Sequence, residues 1–242
     1  MILKNKVILI TGGSRGIGKA TAEECLKNGA NVIINYKNNC ERVGPLFDLY
    51  SKNKLLTYKA DVSDINGVKK MMNEIKEKFG HLDGIVNNAG IITRTYDWKD
   101  ISLQDWNENI NTNLLGMWNI VRFGVDIMQS KGSIVNVSSI YGKFPETEEL
   151  SYSISKAGVE ALTYALSKRL SPNIRVNAIA PGNTITDMIP ETQRIKKIEE
   201  KTLLKRSANT IEIANAIVYL LSEKSSYITG CIIPVDGGYH VI

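Results

Sequence analysis

The sequence predicts an α/β fold, a parallel sheet with helices packed on both faces. Seven short runs rich in β-branched and apolar residues alternate with segments of helical periodicity. The first run, Lys6-Val-Ile-Leu-Ile10, passes straight into a glycine-rich loop and then a helical pattern. No linker, repeat or low-complexity stretch divides the 242 residues, and one α/β domain of this length is ordinary.

The loop Thr11-Gly-Gly-Ser-Arg-Gly-Ile-Gly18 spaces Gly12, Gly16 and Gly18 as G-x-x-x-G-x-G. Glycines let the backbone approach a diphosphate, and the following helix offers open N–H groups at the positive end of its dipole. That helix runs through Ala20, Cys25 and Leu26 to a stop at Asn28-Gly29. The second strand, Asn31 to Asn35, ends in Asn35-Tyr36-Lys37-Asn38, with no acid. In dinucleotide folds an acid at this point bonds the adenosine ribose of NAD, whereas basic residues accommodate the extra phosphate of NADP. Gly44-Pro45 interrupts the segment from Cys40 to Lys52, so its helix is expected to begin near Pro45.

Leu55 to Ala60 reads as the third strand, ending in Asp61-Val62, and Asp64 is placed to cap a helix through Val68, Met71, Met72, Ile75 and Phe79. Leu82 to Gly90 is the fourth strand with an Asn-Asn-Ala-Gly end. Ser102-x-x-Asp105 opens a long helix, about 103–128, that carries Asn113. Ile134-Val-Asn-Val137 is the fifth strand and ends in Ser138-Ser139. Ile174 to Ala180 is the sixth, followed by Pro181-Gly182-Asn-Thr-Ile-Thr186 and a polar, weakly amphipathic stretch from Met188 to Lys205. A helix at Thr210 to Leu221 and a strand and turn from Ile228 to Gly238 complete the pattern.

The chemistry concentrates between Ser139 and Lys156. A helical pattern there sets Tyr152 and Lys156 four residues apart, on one face. A phenol ordinarily loses its proton near pKa ~10, but an ammonium held close favours the phenolate. Such a tyrosine can act as general acid or base toward an alcohol or carbonyl. A serine hydroxyl from the neighbouring strand end can bond the same substrate oxygen.

Ser139 with Tyr152-Ser-Ile-Ser-Lys156, the glycine loop, the Asn-Asn-Ala-Gly end and Pro181-Gly182 come in an order that resembles the short-chain dehydrogenase/reductases, over roughly residues 5–238. The resemblance implies a Rossmann-type doubly wound parallel sheet, strand order 3-2-1-4-5-6-7, as one domain over 1–242 with a substrate lid at about 188–205. It implies a catalytic set of Asn113, Ser139, Tyr152 and Lys156, with Asn113 supporting a proton relay from the lysine. Cofactor contacts are implied in the glycine loop at Gly12, Ser14, Arg15, Gly16, Ile17 and Gly18, and after the second strand at Tyr36 and Lys37. Asp61 and Val62 would lie beside the adenine, Asn87 would tie the fourth strand to its neighbours, and Asn88, Ala89 and Gly90 would run along the cofactor. Tyr152 and Lys156 would reach the nicotinamide ribose, and Pro181, Gly182, Thr184 and Thr186 the carboxamide. Thr184 departs from the family's usual Ile or Val. Arg15, Lys37 and the missing acid favour NADP(H), with NAD(H) possible.

The implied activity is hydride transfer between NAD(P)(H) and a carbonyl or secondary alcohol. The overall pattern resembles 3-oxoacyl-carrier-protein reductases and short-chain sugar or polyol dehydrogenases. If the acidic loop Pro145-Glu-Thr-Glu-Glu149 faces the site mouth rather than solvent elsewhere, it would repel an acidic carrier protein, which favours a small or polar substrate such as a sugar, polyol or short oxo-compound. The alternatives are a 3-oxoacyl-carrier-protein reductase and, from another class, a non-catalytic cofactor-sensing protein, against which the intact catalytic set stands. A homo-oligomer, a tetramer by resemblance, is expected through helices 103–128 and 152–170.

Net charge is +5, but the lysines are scattered and not interleaved with aromatics, so nucleic acid is not an expected partner. Three distant cysteines and two histidines make neither a disulfide framework nor a metal set, which fits a reducing cytoplasm. The N-terminal apolar run is too short for a signal peptide, and no run approaches the ~18 apolar residues of a membrane span.

Overall fold

Strand β1 (Val7–Ile10) lies near the middle of a seven-stranded sheet, and all four of its side chains are buried. The computed structural model describes residues 1–51, 53–93, 95, 97–186 and 198–241. The other strands are β2 (Asn31–Tyr36), β3 (Leu55–Lys59), β4 (Leu82–Asn87), β5 (Met128–Val137), β6 (Ile174–Pro181) and β7 (Ile232–Val235). Every pair is parallel, in the order β3-β2-β1-β4-β5-β6-β7. The doubly wound sheet expected from the sequence is therefore the one observed.

Strand alternation sorts the core into two layers. Ile8 and Ile10 join Val32, Ile34 and Val135 against helices α1 (Gly16–Lys27) and α8 (Thr210–Leu221). Val7 and Leu9 join Ile33, Ile85 and Ile134 on the other face. There they meet α3 (Ile65–Phe79), α5 (Gly116–Gly124) and α7 (Leu150–Leu170). Each fully buried aliphatic side chain contributes roughly 1.5–3 kcal/mol relative to exposure. Among the described residues no helix is long and apolar enough to cross a membrane.

Local chemistry sets the helix starts. Asp64 accepts from the N–H of Asn66 and Ser102 from that of Asp105, as expected of caps. Helix α2 (Gly44–Leu49) begins at the Gly44-Pro45 pair, where proline's missing N–H does no harm. Asn209 and Glu212 form a capping box on α8 that the sequence reading did not single out.

The structure departs from the expected bounds in several places, and β4 ends at Asn87 rather than Gly90. The single helix over 103–128 is α4 (Leu103–Ile110), a π turn at Asn111–Leu115, α5, and a tight turn at Val125–Ile127. The wide turn seats Gly116 against Val62, where an added Cβ would stand 2.6 Å from Cγ2. Strand β5 begins at Met128 rather than Ile134, because Met128 pairs with Leu82 ahead of a register shift whose exposed polar residues Gln129, Ser130 and Lys131 read as loop. Helix α7 begins at Leu150, ahead of Tyr152. Strand β7 begins at Ile232 rather than Ile228, because the Asn177 side chain replaces ladder bonds, donating to Ile228 O and accepting from the N–H of Cys231. Of the lid expected at 188–205, residues 188–197 lie outside the described residues; 198–201 are helical.

Candidate active site

The C-terminal ends of β1 to β6 open onto one cleft of about 480 Å³, the edge where ligands bind in such sheets. The glycine loop forms its floor. Gly12 has φ +61°, and a Cβ there would stand 2.8 Å from Ala89 Cα, so only glycine lets the loop lie against the chain after β4. Asn88 fastens that contact: its Nδ2 donates to Thr11 O at 2.9 Å and Gly12 O at 3.1 Å. Thr11 Oγ1 accepts in return from the N–H groups of Asn88 and Ala89. Ser14, Arg15, Gly16 and Ile17 line the cleft. Gly18 does not; a Cβ there would stand 2.5 Å from both Asn88 Nδ2 and Gly12 O, so it is a packing glycine.

The loop fits a diphosphate. Arg15, at the N-cap position of α1, is extended and makes no side-chain cap, unlike the residues that begin α3, α4 and α8. The first N–H groups of α1 are thus left for an anion.

At one end of the cleft stand Tyr36, Lys37, Asp61 and Val62 together with Arg15. Lys37 Nζ lies 2.7 Å from Asp61 Oδ2. Burial pushes the Asp61 carboxyl up, but hydrogen bonds from Lys37 and Ser63 outweigh it and hold the group below its ordinary value. Arg42 lines the same corner. The sequence reading missed it, since its place depends on how the chain turns after β2, through the short turn Glu41–Val43.

At the other end are Ser139, Tyr152 and Lys156. Ser139 caps the short helix α6 (Ile140–Lys143), its Oγ accepting from the N–H of Tyr141 at 3.2 Å. Lys156 is 3% exposed, donates from Nζ to Val137 O at 2.8 Å and sits 5.6 Å from the centroid of the Tyr152 ring. Burial lowers its pKa to about 8. Asn113 is fully buried and off the cleft wall: Oδ1 accepts from the N–H of Ile91 at 2.8 Å, and Nδ2 donates to Ile91 O and Ser155 Oγ. Gly90 lies between the two groups; a Cβ there would be 3.2 Å from Asn113 Oδ1 and 3.6 Å from Lys156 Nζ.

Ala89, Gly90, Pro181, Gly182, Thr184 and Thr186 also line the cleft. A Cβ on Gly182 would stand 2.8 Å from Asp236 Cα. Thr184 Oγ1 bonds Gly182 O at 3.0 Å, bracing the loop. Asn87, tied to Asn136 Oδ1 by its Nδ2 at 2.9 Å, joins β4 to β5 beneath the site. Tyr141 and Glu149 are further lining residues that the sequence reading did not place in the site; Glu149 is 2% exposed.

A doubly wound sheet with a capless helix behind a glycine loop, and a Ser, Tyr and Lys at its carboxyl edge, defines a nucleotide-cofactor oxidoreductase. The family model described as enoyl-(acyl carrier protein) reductase matches residues 12–240. A 3-oxoacyl-(acyl-carrier-protein) reductase of Thermotoga maritima is 39% identical over 247 residues, spanning 98% of this chain and 99% of the relative. Glucose 1-dehydrogenase 2 of Bacillus subtilis is 33% identical over 245 residues, spanning 98% and 95%. A crystal structure of a short-chain dehydrogenase from Burkholderia cenocepacia in complex with NADP superposes with a TM-score of 0.93 at 28% identity, covering 99% of each chain. The chain belongs to the short-chain dehydrogenase/reductase family, and it is an NAD(P)(H)-dependent oxidoreductase.

The buried lysine carries a pH signature. Its pKa of about 8 in the fold lies below the ordinary 10.5, so between these values the unfolded chain holds the more protons and stability rises with pH. The cost of burying the charge, about 3 kcal/mol, is fully present below pH ~8 and gone above pH ~10.5. Lys156→Met is expected to melt higher than the wild type at pH 7 without cofactor, with the gap closing toward pH 10. Melting curves across that range check it; a gap independent of pH contradicts it.

Proposed function

We propose that the enzyme moves a hydride reversibly between NADP(H) and a small or polar carbonyl or secondary-alcohol substrate, such as a sugar, polyol or short oxo-compound. The observation that carries the substrate class is Glu149, a buried acid on the cleft wall less than one helical turn before Tyr152. A carboxylate only accepts hydrogen bonds when ionised, which suits hydroxyl groups better than an acyl chain. A second reading, a 3-oxoacyl-carrier-protein reductase, is favoured by the identity to reductases of that name, 39% in Thermotoga maritima and 36% in Staphylococcus aureus.

The nicotinamide ring supplies or accepts the hydride when bound. Tyr152 gives or takes the hydroxyl proton, and Ser139 Oγ holds the substrate oxygen. Lys156, beneath the Tyr152 ring, favours the phenolate and reaches the nicotinamide ribose. Asn113 backs Lys156 across Gly90 and supports the relay that returns the proton to it. Gly12, Gly16 and the start of α1 hold the diphosphate, while Arg15, Lys37 and Arg42 meet the adenosine phosphate of NADP(H).

Tyr152→Phe is expected to lose about 100- to 10,000-fold in turnover with NADPH affinity retained; wild-type turnover in this variant would remove Tyr152 from the chemistry. The substrate is found by following nicotinamide absorbance over sugars, small ketones and 3-oxoacyl thioesters, free and carrier-linked. A carrier-linked substrate preferred by orders of magnitude would select the second reading.

NADPH is expected to bind more tightly than NADH, with Arg15→Ala, Lys37→Ala and Arg42→Ala each narrowing the ratio. Equal dissociation constants in the wild type would rule the preference out.

A homotetramer is proposed through α5 and α7, where Leu115 just before α5, Trp118 on α5, and Ile154 and Tyr164 on α7 are large apolar side chains 41–48% exposed. Light scattering at micromolar concentration is expected to give four times the 26.9 kDa chain mass; a monomer would contradict the proposal.

A further inference from the structure

Two parallel rungs of buried polar side chains cross from α4 to α7. In the upper rung Asn113, in the π turn, meets Ser155 and clamps the backbone of Ile91. In the lower rung Asn109, one turn earlier, holds Nδ2 within hydrogen-bond distance of Ser151 Oγ at 3.0 Å, Asp105 O at 3.0 Å and Thr93 Oγ1, acceptors that share its two hydrogens. The spacings match on all three elements: residues 109 and 113, 151 and 155, 91 and 93. A third tie follows two residues on, where the N–H of Thr95 donates to Glu148 O at 3.1 Å. Alternate residues of the segment after β4 are thus fastened to the helices, and Ile92 between them lines the cleft. Tyr152 stands next to Ser151, and Ser155 Oγ donates to Tyr152 O at 2.6 Å.

Asn109 is wholly buried, and its Oδ1 has no hydrogen-bond partner among the described residues. A buried amide with an idle oxygen carries a desolvation cost, which its Nδ2 contacts to Ser151, Thr93 and Asp105 offset; what those contacts join is a helix to the chain after β4. We propose that Asn109 is a positioning residue: through Thr93 it couples the chain after β4, whose Ile91 and Ile92 line the cleft, to the helical turn that carries Tyr152. Its effect on turnover rests on the proton-transfer role of Tyr152 proposed above; the coupling itself does not.

The test compares Asn109→Leu, Thr93→Val and the double variant carrying both with the wild type. Kinetics use NADPH with ethyl acetoacetate or NADP with D-glucose, whichever pair the wild type turns over faster. Asn109→Leu is expected to lose about 10- to 100-fold in kcat/KM while its NADPH dissociation constant stays within about twofold and its melting temperature within about 4 °C. Thr93→Val, which removes one hydroxyl from a half-buried site, should lose less, and the double variant should lose no more than Asn109→Leu alone. Hydrogen exchange at Ile91, Ile92 and Thr93 should quicken in both Asn109→Leu and Thr93→Val while that of β4 stays unchanged.

Unchanged exchange in folded Asn109→Leu, or in Thr93→Val should the first fail to fold, overturns the proposal, as does a loss of cofactor affinity equal to the loss in kcat/KM. Exchange needs no substrate, so an active Tyr152→Phe would remove the proton-transfer reading and leave the coupling to be judged by itself.

Discussion

The buried ammonium of Lys156 and its hydrogen bond to Val137 O are the constraint on which the site depends. A charge taken out of water must find acceptors or lose its proton, and the open end of β5 offers one. That bond holds α7 against the sheet at the residue before Ser138-Ser139, so the strand that presents the serine and the helix that presents the tyrosine share one anchor. Ser138 adds a second tie through its bond to Lys156 O. Depressing the lysine's pKa toward neutrality leaves its charge responsive to what binds beside it.

Much of the fold was legible because fully buried parallel strands have a simple code. Lys6 to Ile10, Asn31 to Asn35 and the apolar start of Leu82 to Gly90 read as short strands, and each holds a strand of the expected order. What was not legible depends on side chains that rewrite the backbone pattern. Asn177 replaces ladder bonds before β7, and a π turn interrupts a helix whose apolar period gave no warning. The polar start of β5 looked like loop because Gln129, Ser130 and Lys131 form an exposed bulge between paired Met128 and Gly132.

The candidate site divides the same way. Ser139, Tyr152, Lys156 and the glycine loop are adjacent in sequence or set by helical spacing, and they do meet in the cleft. Gly18 and Asn113 serve it from behind, which spacing alone could not distinguish from contact. Arg42 and Glu149 arrive from short turns whose path is a tertiary matter; nothing local marked Arg42, and Glu149 was noted only for the charge of its loop.

The π turn at Asn111–Leu115 has one further consequence. It accommodates one residue more than a regular α-helix would over the same turn, and each residue of an α-helix rotates the chain by about 100°. Losing a single residue there would leave α5 packed on the sheet yet swing the whole of α4 around its axis, carrying Asn109 away from Ser151 and Thr93. Length in this segment is thus a rotational setting. Substitutions along it can be absorbed one at a time, whereas a one-residue deletion acts on every side chain upstream at once.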